Sequence, residues 1–438
     1  MNEIEKENER EPQGVYRLLL GFLALLILYA FLKHAFIDPW TLHYEGGDFT
    51  SYYVAAERIA DGDSPYPIGE IEDYEGEGAS PIWGEYPYPP MLARLLVPLT
   101  GFSIFTAKRI YISIALVVFF ALLWILYRMY KPLLKTSDFL PVWASLFGWG
   151  PFIYSVRLGQ CELLAMPFLA LSWIFLLMGE RRQSRKASLE ILAGIAMGFA
   201  AMVRLTPVLM IPVFLVTFRW RIALSFIVGS FLALLVSGPI SSWEFFTQVL
   251  PTMSDVSEMR HCPSFHVLIL RALDTVATWT GHPEGFGIDR LASIFGTGIF
   301  YALVLGILFW RRLRFSTLDL FVIACFLPPL LAGKNPHHYT LALFPIIVGS
   351  VLVVREGLSE EAAIYRLRMI LWVLVLLPAL NYWAPANNLI DAIAAKGPIS
   401  RTPLFILGNL VAFGLVVHLL DQKRFIHREK LETGPLQA

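Results

Sequence analysis

"FTAKRIYISIALVVFFALLWILYRM", residues 105–129, decides the fold class of this chain. Residues 110–127, between Arg109 and Arg128, carry no charge, and a helix of about 20 apolar residues crosses the hydrocarbon core of a bilayer. The run does not alternate between apolar and polar residues, as the strands of a membrane barrel do. We therefore expect this segment to be a transmembrane helix.

The rest of the chain repeats this pattern. The 438 residues are 56% hydrophobic and 16% charged, with a mean hydropathy of +0.59, which is too apolar for a soluble protein of this length. Similar apolar runs lie at 15–37, 105–129, 138–156, 161–178, 189–203, 206–218, 222–238, 291–310, 317–333, 339–354, 369–383 and 402–420. The sequence predicts an all-α polytopic membrane protein with about twelve transmembrane helices.

Basic residues set the predicted orientation, because cytoplasmic loops are enriched in Lys and Arg. With a cytoplasmic N-terminus, every basic cluster falls on the cytoplasmic side: 131–135, 181–186, 219–221, 311–314, 355–368 and 423–430. We expect a multi-pass plasma (inner) membrane protein with both termini in the cytoplasm. Residues 1–14 and 423–438 would be cytoplasmic tails, and 15–422 a single transmembrane domain. Its long extracytoplasmic loops would lie at 38–103 and 239–290.

Composition also indicates what the chain does not bind. The net charge is zero, so nothing favours nucleic acid, and no glycine-rich nucleotide loop is evident. Three cysteines fit neither a disulfide framework nor a metal site. The two adjacent histidines at 337–338 point in different directions, and "DGD" at 61–63 is explained by a helix that ends at glycine. We therefore expect no metal and no cofactor.

The first outer loop contains "GGDFTSYYVAAERIADGD", residues 46–63. Helical spacing places Phe49, Tyr52, Tyr53, Ala56 and Ala60 on one face, which predicts an interfacial helix that begins at Asp48. Asp48 has two compatible interpretations. Its carboxylate caps the free amides of the first turn, or the flexible glycine pair holds it where a substrate approaches. "MLARLLVPL" at 91–99 predicts a second short interfacial helix.

Three further turns place polar groups at the outer ends of predicted spans. They are "VRLGQCELL" at 156–164, "MVRLTPVLM" at 202–210 and "GKNPHHYTL" at 333–341. Charges at this depth are costly and tend to be paired or functional, although any one of them alone could reach the interface as a snorkelling side chain. Their presence on one side favours a common site. The second outer loop either lines a substrate groove or is packed.

These segments together resemble glycosyltransferase family 87. The similarity lies in "GGDFTSYYVAAERIADGDSPY", "YPYPPMLARLLVPL", "GQCELL" and "RLTPVLMIPVFLVTFRWR" and spans most of the chain. The family comprises GT-C fold membrane enzymes that include polyprenyl-phosphate-mannose-dependent alpha-mannosyltransferases and a related arabinofuranosyltransferase. The resemblance implies this fold, a sugar donor carried on polyprenyl phosphate, and no need for a metal.

The resemblance also implies roles for individual residues. Asp48 matches the position of an acidic catalytic base, and a histidine of the late span, His337 or His338, would assist. Arg204 stands where the family often has lysine, which keeps the charge and changes its geometry. The single aspartate of "GGDF" departs from the paired acidic residues of other GT-C branches.

The residue chemistry agrees with these implied roles. Transfer needs a base for the acceptor hydroxyl, cations for the leaving phosphate and hydrogen bonds to the sugar. Asp48, with His337 and His338, supplies the predicted catalytic groups. The predicted phosphate-binding residues are Arg204, Lys334 and Arg157, and the predicted sugar- or acceptor-binding residues are Tyr52, Tyr53, Gln160, Glu162 and Glu45.

We therefore expect a hexosyltransferase that moves mannose to a glycolipid or glycan acceptor in the lipid bilayer, with inversion and on the extracytoplasmic side. The alternative is a transporter or flippase of a lipid-linked sugar. A transporter would place charges near the middle of the membrane within broken helices, whereas here the charges gather at one side.

Overall fold

The computed structural model describes twelve blocks of residues, with gaps between them. They are 25, 28–29, 32–37, 48–66, 86–131, 150–252, 269–270, 272–273, 276–280 in part, 289–332, 336–348 and 401–422. The predicted spans at 15–37, 138–156 and 369–383 lie wholly or largely outside these residues. The predicted tails, 1–14 and 423–438, lie completely outside them. These parts of the domain division stay predictions.

The described residues form helices and turns, with no strand among them. The α-helices are α1 Asp48–Asp61, α2 Pro90–Leu96, α3 Ile104–Tyr130, α4 Gly150–Leu158, α5 Glu162–Arg181, α6 Lys186–Val203, α7 Ile211–Val216, α8 Trp220–Ser237, α9 Pro239–Glu244, α10 Asp289–Trp310, α11 Thr317–Ala332 and α12 Arg401–Gln422. Short 3₁₀-helices are Val97–Leu99, Gln183–Arg185, Thr206–Met210 and Pro336–Ala342, and π-helical turns are Leu32–Ile37 and Phe245–Val249. A three-residue α-helical turn, Leu250–Thr252, follows the second π-helical turn.

Four of the described helical segments are long and apolar enough to cross a membrane. They are Ile104–Tyr130, Glu162–Arg181, Gln183–Val203 and Trp220–Ser237. Shorter apolar helices include Thr206–Val216, Ile294–Trp310 and Thr317–Leu331. The predicted all-α polytopic membrane fold is therefore confirmed, while the number of spans stays a prediction. The segment at 105–129 agrees with α3 to within one residue at each end.

Helix α5 is the most enclosed of the four long segments and packs against α3 and α6. Helices α3, α8 and α10 instead expose large apolar side chains, such as Val117 at 70%, Phe231 at 59% and Leu303 at 62%. Apolar side chains turned outward on helices of this length are typical of contact with lipid. The bundle thus has an enclosed centre and an apolar outer surface.

Helices α6 and α8 approach each other closely because glycines line their contact. A Cβ atom on Gly198 would lie 2.4 Å from the Phe226 carbonyl oxygen and from the Ser230 nitrogen. A Cβ atom on Gly229 would lie 2.4 Å from the Ile195 carbonyl oxygen. Small residues allow membrane helices to pack backbone against backbone, where dispersion contacts stabilise the pair. This contact fixes α6, whose last residue precedes Arg204.

The basic turns meet at one end of the bundle. Arg181, at the end of α5, donates to the carbonyl of Met129 in α3. Arg219 donates to the Phe315 carbonyl at 3.2 Å, which joins the turn before α8 to the turn before α11. Since α5 has 20 residues, its first residue lies roughly 30 Å from this end. The polar turn between α4 and α5 is therefore at the opposite end.

The two predicted helices of the first outer loop are present. Helix α1 begins at Asp48 and ends before Gly62, whose φ of +91° is the left-handed conformation that glycine adopts readily. Phe49, Tyr52, Tyr53 and Ala56 are buried as the spacing predicted, but Ala60, in the last turn, is exposed. Helix α2 packs against α1, α6 and α8.

Candidate functional site

A tight turn between α4 and α5 is the centre of the candidate site. Gly159 has a φ of +69°, and a Cβ atom there would lie 3.3 Å from Cβ of Phe49 and Cε of Lys108. Glycine therefore suits both the conformation and the space. The turn presents Gln160, Cys161 and Glu162 one after another, and all three are fully buried.

Gln160 connects this turn to α1 and α3. Its side-chain Oε1 accepts a hydrogen bond from the Tyr52 hydroxyl at 3.1 Å. Its backbone carbonyl accepts one from the Tyr111 hydroxyl at 2.7 Å. Buried hydrogen bonds of this kind fix side-chain directions, because leaving either group unpaired would be costly. The first outer helix is thereby held against the transmembrane bundle.

Arg204 forms a buried ion pair with Glu162. The guanidinium Nη1 contacts Glu162 Oε1, and the same atom lies 3.2 Å from the Cys161 sulfur. Arg204 is 4% exposed and Glu162 is 0% exposed. Burial lowers the pKa of Arg204, but the neighbouring Glu162 carboxylate outweighs it, and the net pKa lies above the usual value. Arg204 therefore stays charged.

The Cys161 thiol lies inside the same cluster. Its sulfur is 3.4 Å from Glu162 Oε2. Burial raises the pKa of this thiol, and the charge of Glu162 raises it further, so it remains protonated. Its contact with Arg204 gives this buried cysteine a polar partner.

A group of tyrosines covers the cluster. The Tyr88 ring lies 5.9 Å from Cζ of Arg204, within the range of a cation–π contact, and 5.0 Å from the Tyr52 ring. Tyr66 donates to the Tyr88 carbonyl at 2.8 Å, and Tyr86 donates to the Pro89 carbonyl at 2.8 Å. Burial raises the pKa of Tyr66 and Tyr86 well above that of a free phenol, so both hydroxyls stay neutral donors.

The end of α1 is also attached to the segment after α8. Ser64 donates to a carboxylate oxygen of Glu244, the last residue of α9, and Arg58 donates to the Ser64 carbonyl at 2.7 Å. The Tyr66 ring lies 6.1 Å from that of Phe245. Contacts from α9 and from the residues before α2 therefore hold the chain at residues 64–66.

The structure brings together four of the predicted site residues: Tyr52, Gln160, Glu162 and Arg204. Tyr53 faces elsewhere, since its hydroxyl donates to the carbonyls of Phe102 at 2.6 Å and Thr100 at 3.2 Å. This hydroxyl ties α1 to the segment before α3. Whether these residues contact a sugar stays a prediction.

Asp48 is the first residue of α1, one helical turn before Tyr52. Arg157 is half-buried in the last turn of α4. Both predicted roles, base and phosphate ligand, stay predictions.

His337 and His338 lie in the 3₁₀-helix Pro336–Ala342. This helix packs against α4, because the Thr340 hydroxyl is 2.7 Å from that of Ser155 and bonds to the Pro151 carbonyl at 2.9 Å. The histidines therefore belong to an element beside the candidate site. Glu45 and Lys334 lie outside the described residues, and their roles stay predictions.

Sequence reasoning missed three tyrosines of the site, Tyr86, Tyr88 and Tyr111. A signal for the first two was present: in the extended "YPYPP", residues two apart point to the same side. Tyr111 places a hydroxyl near the start of an apolar span. A buried tyrosine hydroxyl usually has a hydrogen-bond partner, so a polar group was to be expected at the same end of the span. Pairing across 49 residues, as between Tyr111 and Gln160, is invisible in a single sequence.

Buried charges in the described part of the chain all lie near helix ends. Glu162 and Arg204 are at one end of the bundle. Glu190, the fifth residue of α6, and Asp319, in the first turn of α11, lie towards the other end. The described residues hold no group of three or more His, Cys, Asp or Glu with the arrangement of a metal site. A guanidinium, an amide and neutral phenols suit an anionic or hydroxyl-rich ligand.

Comparison with known proteins identifies the family. The model of glycosyltransferase family 87 matches residues 86–332, which include the Arg204–Glu162 pair, Tyr86, Tyr88 and Tyr111, but neither Tyr52 nor Tyr66. No curated protein matches the sequence. The crystal structure of ArnT from Cupriavidus metallidurans bound to undecaprenyl phosphate is similar over 93% of this chain and 77% of that one. Its sequence identity is 15% and the TM-score is 0.37, a likeness too low to decide the fold or the ligand.

The family match covers more than half of the 438 residues and contains the polar turn, the ion pair and the long helices described above. The chain therefore belongs to glycosyltransferase family 87, the family of GT-C membrane enzymes that its sequence resembles.

Proposed function

We propose that this membrane glycosyltransferase transfers mannose from a polyprenyl-phosphate-linked donor to a glycolipid or glycan acceptor. The reaction takes place at the extracytoplasmic face and inverts the anomeric centre. Neither a metal nor a nucleotide takes part, because the lipid phosphate is already an activated leaving group.

The observation that carries the proposal is the buried polar cluster of Tyr52, Gln160, Glu162 and Arg204. It joins the helix that begins at Asp48 to the end of the bundle opposite the basic turns. By the positive-inside rule, that end is extracytoplasmic. Lipid-linked sugars are the activated donors expected there, which supports a polyprenyl-phosphate donor.

The proposed step is a single displacement. Asp48 takes the proton of the acceptor hydroxyl while the hydroxyl oxygen attacks the anomeric carbon. The bond between that carbon and the phosphate oxygen breaks, and its electron pair leaves with the polyprenyl phosphate. Arg204, with Arg157 and Lys334, stabilises the charge that develops on the phosphate. His337 or His338 assists at the leaving oxygen.

The test is transfer from polyprenyl-phosphate-mannose by purified protein with a chelator present and a panel of lipid acceptors. We expect Asp48→Asn to lower kcat by about 10²–10⁴-fold with little change in KM for the donor. Asp61→Asn is the matched control, because Asp61 is an exposed aspartate at the other end of α1. It should leave transfer unchanged.

Two results would contradict the proposal. If Asp48→Asn transfers as fast as an active wild type, Asp48 only caps α1 and another group is the base. If the wild type forms no product but moves the lipid-linked sugar across proteoliposomes, the chain is a transporter or flippase.

A further inference from the structure

Two buried polar atoms beside the ion pair have no hydrogen-bond partner among the described residues: Nε of Arg204 and Oγ1 of Thr206. Leaving such an atom unpaired in a protein interior is costly, and more so for a charged group. Native proteins rarely keep such atoms without a reason, and a ligand is one of the reasons. Arg204 and Thr206 are two residues apart in the chain, so the two unpaired atoms belong to the same short segment.

Arg204 is held through Nη1, while its Nε has no hydrogen-bond partner in the described part of the chain. Glu162 and Cys161 contact Nη1, while Tyr88 covers the group from a distance of 5.9 Å. In a planar guanidinium, Nε belongs to the edge away from Nη1. The ion pair thus orients Arg204 and leaves its Nε donor for another acceptor.

Thr206 begins the 3₁₀-helix that leads into α7. Its Cα atom is at most about 7 Å from that of Arg204, because an extended chain advances no more than about 3.6 Å per residue. Residues 206–216 form one of the short apolar helices, with Pro207 and Met210 buried. The two unpaired atoms therefore lie at the head of an apolar segment, where the phosphate of a membrane lipid would meet the protein.

We propose that Nε of Arg204 and Oγ1 of Thr206 form the subsite for a phosphate oxygen of the polyprenyl-phosphate lipid, with Glu162 as a positioning residue for Arg204. The inference rests on the proposed function and adds Thr206 as a binding residue. A phosphate oxygen accepts several hydrogen bonds at once and donates none, so it satisfies both atoms. Glu162 neutralises much of the long-range attraction between Arg204 and an anion. Hydrogen bonds from Arg204 and Thr206 therefore supply most of the affinity for the phosphate oxygen.

The test measures binding of undecaprenyl phosphate to the purified full-length protein in detergent. Thr206→Val keeps the side-chain shape and removes the hydroxyl, and we expect it to weaken binding about tenfold. Thr206→Ser keeps the hydroxyl and should bind within about threefold of wild type. Thr217→Val is the matched control, since Thr217 is buried near the other end of this segment and donates to the Val213 carbonyl at 2.6 Å.

Two further ligands distinguish binding of the phosphate group from binding of the polyprenyl chain. Undecaprenol lacks the phosphate, so its binding should be the same in Thr206→Val and wild type. Inorganic phosphate should compete only weakly, because it lacks the apolar chain. If it displaces the lipid as well as undecaprenyl phosphate does, the subsite recognises free phosphate and the lipid assignment is wrong.

The outcomes distinguish this subsite from the proposed function. If wild type binds undecaprenyl phosphate and Thr206→Val binds it equally well, the subsite is wrong and the donor class stands. A folded wild type that does not bind the lipid contradicts both. If Thr206→Val weakens undecaprenol equally, Thr206 is structural, and the subsite is wrong. Should that variant not fold, Thr206→Ala takes its place in the same comparison.

Discussion

Removal of one partner of the Arg204–Glu162 pair should strongly destabilise the protein. The pair joins the start of α5 to the end of α6, and both side chains are almost fully buried. Glu162→Gln leaves a buried guanidinium opposite a neutral amide and the Cys161 thiol. Charges left unpaired in a protein interior cannot be compensated by water.

The structure sets the expected magnitude. Breaking a buried ion pair by removing one charge costs about 3–5 kcal/mol, and the amide that remains in Gln places this variant near the lower end. Arg204→Gln should cost a similar amount. The double variant has two neutral amides that can bond to each other, so its cost should fall about 2 kcal/mol or more short of the sum.

Glu190→Gln is the matched control. Glu190 also pairs with an arginine, but its nitrogen–oxygen distance to Arg221 is 3.7 Å and the Arg221 side chain is 64% exposed. Because Arg221 reaches water and lies far from the carboxylate, we expect this pair to contribute about 0–1 kcal/mol. Both glutamates are buried, so the two Glu→Gln changes differ mainly in the exposure of the arginine partner, which is 5% for Arg204 and 64% for Arg221.

The measurement is thermal unfolding of purified wild type, the three single variants and the Glu162→Gln/Arg204→Gln double variant, followed by tryptophan fluorescence in one detergent. We expect Glu162→Gln to lower the melting temperature by several degrees and Glu190→Gln to change it little. The reasoning is refuted if Glu162→Gln and Glu190→Gln have the same melting temperature. It is also refuted if the double variant loses as much stability as Glu162→Gln and Arg204→Gln combined.

The remaining predictions concern helix packing and pH. Gly198→Ala should destabilise by about 1–3 kcal/mol, because its Cβ atom would lie 2.4 Å from backbone atoms of α8. Gly298→Ala, where nothing lies within 4 Å, should be neutral or slightly stabilising; equal melting temperatures would show that α6 and α8 are not in close contact. Burial raises the pKa of Glu57, and the neighbouring Asp61 raises it further. Since the folded state then binds the proton more tightly than the unfolded chain, ionised Glu57 opposes folding above its folded pKa. Glu57→Gln should therefore raise the melting temperature at about pH 8 and not at about pH 4, and an equal rise at both would contradict this.

Much of the fold follows from the sequence. The apolar run at 105–129 predicted α3 to within one residue, because the length of a membrane helix is set by the bilayer and its composition by lipid contact. The start of α1 at Asp48 and its end before Gly62 followed from helical spacing and glycine. These features depend on neighbours in the sequence, so one sequence contains them.

Part of the candidate site was also predictable. Polar residues at the outer ends of apolar runs are costly, and this reasoning singled out Gln160, Glu162 and Arg204 before their contacts were known. It assigned Arg204 to a phosphate and Glu162 to a sugar or acceptor. That the two form an ion pair with each other did not follow, because 42 positions separate them in the chain.

Tertiary structure alone decided how these residues meet. The sequence by itself determined a helical membrane protein, its apolar runs, the first outer helix and the polar turns, since each is set by local composition and period. The packing of α6 on α5 and α8 brings Arg204 to Glu162, the left-handed Gly159 turns Gln160 towards Tyr52, and the segment before α2 sets Tyr88 over the guanidinium. These contacts depend on the distance and direction between helices. Interhelical packing fixes both, and no local pattern encodes them.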